Sequence, residues 1–278
     1  MAEAYLPPKV RKTEGDKNMR SILVNADRKP GSDARIDAAL NLARRWNGHV
    51  TVLVDTPAAR YIAMDPMGGS YVISDALEQA RTEDDAAAKT IEERLARDDV
   101  PFDVLRSEDD PVNALAGAAR LADLVVVSRS SGLAGALALT CRTPVLVLPD
   151  DRPIELPIRR ACIAWDGGEQ SAAALRASVP LLGNCQMIKV IAVAEKPGGF
   201  PGTDALRYLS RHGVHAELEE HQKRKSTEET LAAAVAENHA EIMVMGAYGK
   251  SRMREFLFGG VTAYFLNEAK APALLLVH

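Results

Sequence analysis

A chain of 278 residues has material for one or two domains. With 47% hydrophobic and 26% charged residues its composition is globular, which excludes a largely disordered chain. The net charge of −4, from 34 basic and 38 acidic residues, argues against a general grip on nucleic acid or an anionic membrane.

Residues 1–18 mix Pro, Lys, Glu and Gly without periodicity and are expected to form a disordered N-terminal arm. They lack a signal peptide's apolar stretch, and no later run approaches the roughly 18 apolar residues of a membrane helix. Three cysteines without CxxC spacing (Cys141, Cys162, Cys185) speak against a disulfide framework or a cysteine zinc site. A cytoplasmic chain with no membrane or nucleic-acid partner is the expectation.

The run Ile22 to Asp27 is mostly apolar and ends in an acid, as does Ala161 to Asp166, with the two acids 139 residues apart. That offset holds on. Ser32 and Ser171 each follow their acid by five residues at an expected helix N-cap. Behind them, Ile36, Ala39, Leu40, Ala43 and Trp46, and Leu175, Val179 and Leu182, recur at helical spacing. The next predicted strands, 51–54 and 190–193, keep the same offset.

Farther along, Leu124–Ser128 matches Ile242–Gly246 at an offset of 118, so the first half carries 21 more residues in its middle. A long predicted helix, Ser74 to Arg97, lies there. Pro144 and Pro272, opening the last predicted strands, are 128 apart, so the segment before them is ten residues shorter in the first half. Val, Ile and Leu crowd these strands instead of alternating with polar residues, the pattern of a parallel sheet covered on both faces. Asp110-Pro111 and the capping box Ser226-Thr-Glu-Glu229 mark helix starts. The charged, Pro-rich stretch 151–157 reads as a linker. Two duplicated α/β domains are therefore expected, at 19–150 and 158–278.

In open α/β sheets ligands bind beyond the carboxyl ends of the strands, where strand order reverses. Two loops of the second half suit that place: Trp165-Asp166-Gly167-Gly168, and Gly246-x2-Gly249-x9-Gly259 followed by Gly260-Val261-Thr262. Glycines admit tight turns and let main-chain N–H groups approach an anion, and a helix starting near Gly259 would add its dipole. Thr262 would add a hydroxyl. The Asp166 carboxylate suits the hydroxyls of a ribose or the edge of a base, or equally the capping of its own turn. A glycine pattern of this length arises by chance in roughly one such chain in ten. A turn that merely closes the fold therefore stays open as the alternative.

The tandem repeat, the acid ending each first strand, and Gly246-x2-Gly249-x9-Gly259 resemble the universal stress protein family, in particular its tandem-domain members, over residues 20–278. The resemblance implies two tandem doubly wound five-stranded parallel sheets of order 3-2-1-4-5. It also implies ATP binding, with ADP or AMP as alternatives and Mg compatible with ATP. By position, Asp166 would lie near base and ribose, and Val193 would offer its backbone to adenine. Gly246, Gly249, Gly259, Gly260, Val261 and Thr262 would line the phosphates.

The family's hydroxyl residue after the third glycine is Gly260 here. A hydroxyl bonded to a charged group contributes about 1.5–3 kcal/mol, so weakening by roughly ten- to a hundredfold is expected. Trp165 would either crowd the adenine or pack against a helix. In the first half Ser128-Arg-Ser-Ser-Gly-Leu-Ala-Gly135 replaces the glycine loop, so that domain is expected to be a degenerate partner.

Gly249-Lys250-Ser251 matches a Walker ending, but Val244 stands at its first glycine. His212-x-x-His215 has metal-ligand spacing but reads as solvent-facing. Arg252 and Arg254 would either steer phosphate or form a solvated face, and Lys223-Arg-Lys225 is too short for a nucleic-acid surface. No catalytic residue and no metal site emerges. The sequence thus points to an adenine-nucleotide-binding stress or signalling module with at most slow ATP hydrolysis. A nucleotide-independent scaffold is the alternative, and a nucleotidyl-transfer enzyme ranks behind both. Each last strand would be an apolar sheet edge, so the two halves are expected to pair as an internal pseudo-dimer. A larger homo-oligomer stays open.

Overall fold

The structure, a computed structural model, describes residues 19–27, 29, 31–64, 70–151, 154–194, 200–248 and 260–278. The first half runs β1 (Ser21–Ala26), α1 (Ser32–Trp46), β2 (His49–Asp55), β3 (Ile62–Met64), β4 (Ser70–Val72), α2 (Ser74–Leu95), β5 (Phe102–Ser107), α3 (Pro111–Ala118), β6 (Leu124–Ser128), α4 (Ala134–Thr140) and β7 (Val145–Leu148). The second runs β8 (Arg160–Trp165), α5 (Glu169–Leu182), β9 (Met187–Ala194), α6 (Gly202–Arg211), β10 (Glu217–Gln222), α7 (Thr227–Glu237), β11 (Ile242–Gly246), α8 (Gly260–Asn267) and β12 (Ala273–Val277). The 21 extra residues of the first half are the β3–β4 hairpin and the longer α2.

Strands pair in the order β10-β9-β8-β11-β12-β7-β6-β1-β2-β5. Within each half's five strands of this sheet the order is 3-2-1-4-5 and all pairs are parallel, the small β3–β4 pair lying outside it. The halves do not form two separate sheets. Their last strands pair antiparallel, Leu274 with Val147, Leu275 with Leu146 and Leu276 with Val145, giving one ten-stranded sheet. The physical reason is the one that makes bare edges hazardous: each apolar edge strand has unpaired N–H and C=O groups, and its twin satisfies them. The outer strands β5 and β10 carry Asp103 and Arg106, and Glu217, Glu219 and Glu220, charges that discourage further pairing.

Consecutive strand residues point to opposite faces, and both faces are covered. Leu124 and Val126 of β6 belong to one core cluster with Ile36, Leu95, Leu175 and Leu209 from α1, α2, α5 and α6. Val125 and Val127 belong to the other, with Leu115, Leu137, Leu231 and Phe265 from α3, α4, α7 and α8. This explains the continuous Val/Ile/Leu runs.

Helix starts are mixed. Asp110 accepts from the N–H groups of Val112 and Asn113 to cap α3, and Ser226 accepts from Glu229 N–H at 3.2 Å to cap α7. Ser32 and Ser171, expected as caps, are not. The cap positions are Gly31 and Gly168, and the Ser171 hydroxyl donates back to the Gly168 carbonyl at 2.9 Å. Among the described residues no helix is long and apolar enough to cross a membrane.

Candidate functional site

Strand order reverses between β8 and β11, so the carboxyl ends of these strands form the switch-point crevice of this half. Asp166 leaves β8 here, exposed to solvent, and its Oδ1 accepts from the Gly168 N–H at 2.8 Å. The carboxylate therefore caps its own turn, while Gly167 takes the left-handed conformation (φ +71°) that the turn requires. Across the crevice Gly246 ends β11. A Cβ there would lie 2.6 Å from the backbone carbon of Gln170 and 2.7 Å from Ser171 N. The missing side chain is what lets the first turn of α5 press against the strand.

Gly260 is the first residue of α8 and is exposed, Val261 is half-buried, and Thr262 is 3% exposed. The Thr262 hydroxyl lies 3.5 Å from Tyr248 N–H, which donates to it, so this side chain ties the strand-end turn to the helix instead of standing open to solvent. Gly249 and Gly259, with Lys250, Ser251, Arg252 and Arg254, lie outside the described residues. On the other flank, the β8–β9 ladder ends at Trp165 and Ala192. Val193 continues paired to His221 of β10, so the side of its backbone that faced β8 has passed the end of the ladder. The structure thus brings Asp166, Val193, Gly246 and the start of α8 to one end of the second half.

Trp165 is not in the crevice. It is 8% exposed within the core cluster of α5 and α6, and its Nε1 donates to the Phe200 carbonyl at 2.9 Å. The packing alternative for this residue is the one realised. A cavity of about 690 Å³ lies at the amino ends of β8 and β12, lined by Arg160, Val235, Tyr264 and Lys270 among others. It is therefore at the opposite end of the strands from Asp166 and has no part in the crevice.

The corresponding place in the first half is built differently. Arg35 of α1, 1% exposed, sends its guanidinium to the carboxyl end of β1. Its Nε donates to the Asn25 carbonyl at 2.6 Å, one terminal nitrogen donates to the Ser128 hydroxyl, and the other pairs with Asp27 at 2.7 Å. By the repeat, Arg35 corresponds to Ala174, Ser128 to Gly246 and Asp27 to Asp166. Where the second half has two small residues, the first has a buried arginine bonded to a serine, and the acid faces that arginine.

Beside this plug, burial pushes the Asp55 carboxyl above its usual range, against the lowering effect of the hydrogen bond from Asn25 Nδ2 (2.9 Å) and of Arg60. The short connection after β6 also works as a clasp. Arg129 donates to the carbonyls of Glu268 and Ala271 at 3.0 Å each and of Pro272 at 2.6 Å, all in the second half.

Arg35, Arg129 and Phe200 were not singled out by the sequence pattern. The first two stand out once the halves are aligned, since each sits opposite an alanine (Ala174, Ala247). Phe200 has only the turn-rich run Gly198-Gly-Phe-Pro-Gly202 to mark it.

The model of the universal stress protein family matches residues 18–149 and again 157–277. No curated protein matches the sequence. Among solved structures, a universal stress protein from Archaeoglobus fulgidus superposes with a TM-score of 0.68 at 11% identity, covering 92% of this chain and 96% of that one. A protein of unknown function from Pseudomonas aeruginosa gives 0.58 at 14% identity, covering 93% and 92%. At such identities the likeness concerns the fold, while the paired family matches span most of the sequence: this chain belongs to the universal stress protein family and carries its domain twice, joined edge to edge.

Proposed function

We propose that the second half binds one adenine nucleotide per chain, ATP or its ADP or AMP counterparts, and that occupancy alters what the protein contacts in a cytoplasmic stress or signalling role. The observation that carries this reading is the asymmetry of the two crevices. In the second half Gly246, the Asp166 turn and the first turn of α8 meet at the switch point with small residues behind them. In the first half Arg35 and Ser128 fill the equivalent space.

The residues fit the ligand in kind. The exposed Asp166 carboxylate suits ribose hydroxyls, and the backbone of Val193 suits an adenine edge. The N–H groups opening α8 at Gly260 and Val261 suit phosphate oxygens. Gly249 and Gly259 belong to the same proposed phosphate seat. Thr262 enters it through the turn it ties at Tyr248. Mg²⁺ accompanying ATP would be held chiefly through phosphate oxygens and water, as this ion commonly is. Any hydrolysis would be slow. The acid at the crevice already caps a turn, and phosphoryl transfer needs a positioned base and concentrated positive charge.

Calorimetric titration with ATP, ADP and AMP tests the reading, together with identification of nucleotide that co-purifies. Binding at one site per chain is expected, weakened by a bulky substitution at Gly249. No heat at millimolar nucleotide and none carried through purification would refute it, and would leave the nucleotide-independent scaffold, which the plugged first half favours.

A further inference from the structure

Among the described residues of the second half, Phe200 is the one large hydrophobic side chain left exposed, at 70%. It does not sit on a loose tip. Its N–H donates to the Gly167 carbonyl at 3.1 Å and its carbonyl accepts from Trp165 Nε1 at 2.9 Å. Both anchors are firm, since Trp165 is buried in the core and Gly167 belongs to the turn closed by Asp166.

On the other side Pro201, at φ −63°, leads into α6. Gly202 presses that helix onto the sheet so closely that a Cβ there would lie 2.5 Å from Leu218 Cδ1. The backbone carrying the phenyl ring is thus fixed at both ends, one residue away from Asp166 along the Gly167 bond. The ring is therefore held in water beside the Asp166 turn. Its apolar faces remain available to a planar partner.

We propose that Phe200 is the base-stacking residue of the second-half site, its ring lying against the purine of a nucleotide whose ribose meets Asp166. This rests on the nucleotide reading above and adds a side chain that selects for the base and is indifferent to the phosphates. Aromatic stacking on a base, measured by alanine substitution, corresponds to about five- to 150-fold in affinity.

The test is calorimetry on the full chain with two probes, ATP and inorganic tripolyphosphate, which has the charge but no base. Phe200→Ala is expected to weaken ATP about five- to 150-fold and leave tripolyphosphate within twofold. Phe200→Trp is expected to keep ATP binding, with its indole emission quenched as ATP is added. Equal ATP affinity in wild type and Phe200→Ala overturns the stacking role while leaving the nucleotide reading intact. Equal loss of both probes also overturns it, because the residue then acts through the shape of the turn. Binding of neither probe by wild type sinks both readings. Because the ring is exposed, the alanine variant is expected to keep the fold, which far-ultraviolet circular dichroism checks.

Discussion

Replacing Arg35 by methionine keeps most of the stem volume and removes the guanidinium. Three acceptors then lose their donor: the Asn25 carbonyl, the Ser128 hydroxyl oxygen and Asp27. Removing one partner of a buried ion pair costs about 3–5 kcal/mol. Asp27 keeps 19% of its side chain in solvent and can be partly rehydrated, which argues for the lower end, about 3 kcal/mol. Adding Asp27→Asn removes the orphaned charge, so the double variant should recover about 1–2 kcal/mol of that loss.

The chain offers a clean readout because it has two tryptophans, Trp46 in α1 and Trp165 in β8. In a Trp165→Phe background, urea unfolding followed by fluorescence reports the first half alone. A loss below 1 kcal/mol for Arg35→Met would refute the claim that the guanidinium holds this crevice shut. So would a double variant less stable than the single one.

Arg129→Ala removes a charged donor from four carbonyls of the second half and should cost about 2–3 kcal/mol. Its signature would be faster amide exchange around residues 268–273, and unchanged exchange there would refute the clasp. Gly246→Ala forces a Cβ against the backbone of α5 and should destabilise by about 1–3 kcal/mol in thermal unfolding, with nucleotide binding weakened in parallel. Asp55 has a raised carboxyl pKa, so the native state holds its proton more tightly than the unfolded chain does. Its contribution is fullest below the unfolded value near 4 and is lost as pH rises through the raised value. Asp55→Asn should therefore gain stability over wild type progressively from pH 4 to pH 7, and a flat difference would count against burial as the cause. The thiols of Cys162 and Cys185 are pushed up to about 12, and that of Cys141 is raised as well, all chiefly by burial. A thiol-reactive dye at pH 8 should label the native protein far more slowly than the urea-unfolded chain.

The fold was legible because burial leaves a mark on every residue of a strand. A parallel strand covered on both faces has no polar alternation, and two copies of such a pattern at a fixed offset identify each other. Thus β6 and β11 were read to the residue. Side-chain type placed the Asp110 and Ser226 caps correctly but failed at Ser32 and Ser171. Gly31 and Gly168 take those positions through backbone conformation, which a serine next door does not announce.

Arg35 was invisible for a related reason. One arginine in an amphipathic helix reads as solvent-facing, and its partners come from 8, 10 and 93 residues away, a convergence only the fold supplies. The same limit applied to Phe200, whose neighbours Trp165 and Gly167 are brought to it by the return of the chain after β9.

The antiparallel junction of β7 and β12 gives the two crevices different surroundings. It turns the halves end for end, so the carboxyl ends of the first half's strands lie level with the amino ends of the second's. Arg129, leaving β6, therefore meets the turn that enters β12, and only a short connection keeps it there: three residues of tight turn, then α4 at Ala134. The half with the shorter connection is thus the half that carries the clasp. At the opposite end Ala247 stands where the arginine would be, and its carbonyl is met at 2.8 Å by Nδ1 of His278 from its own half. The crevice that keeps its glycine loop is therefore the one from which this arginine is missing.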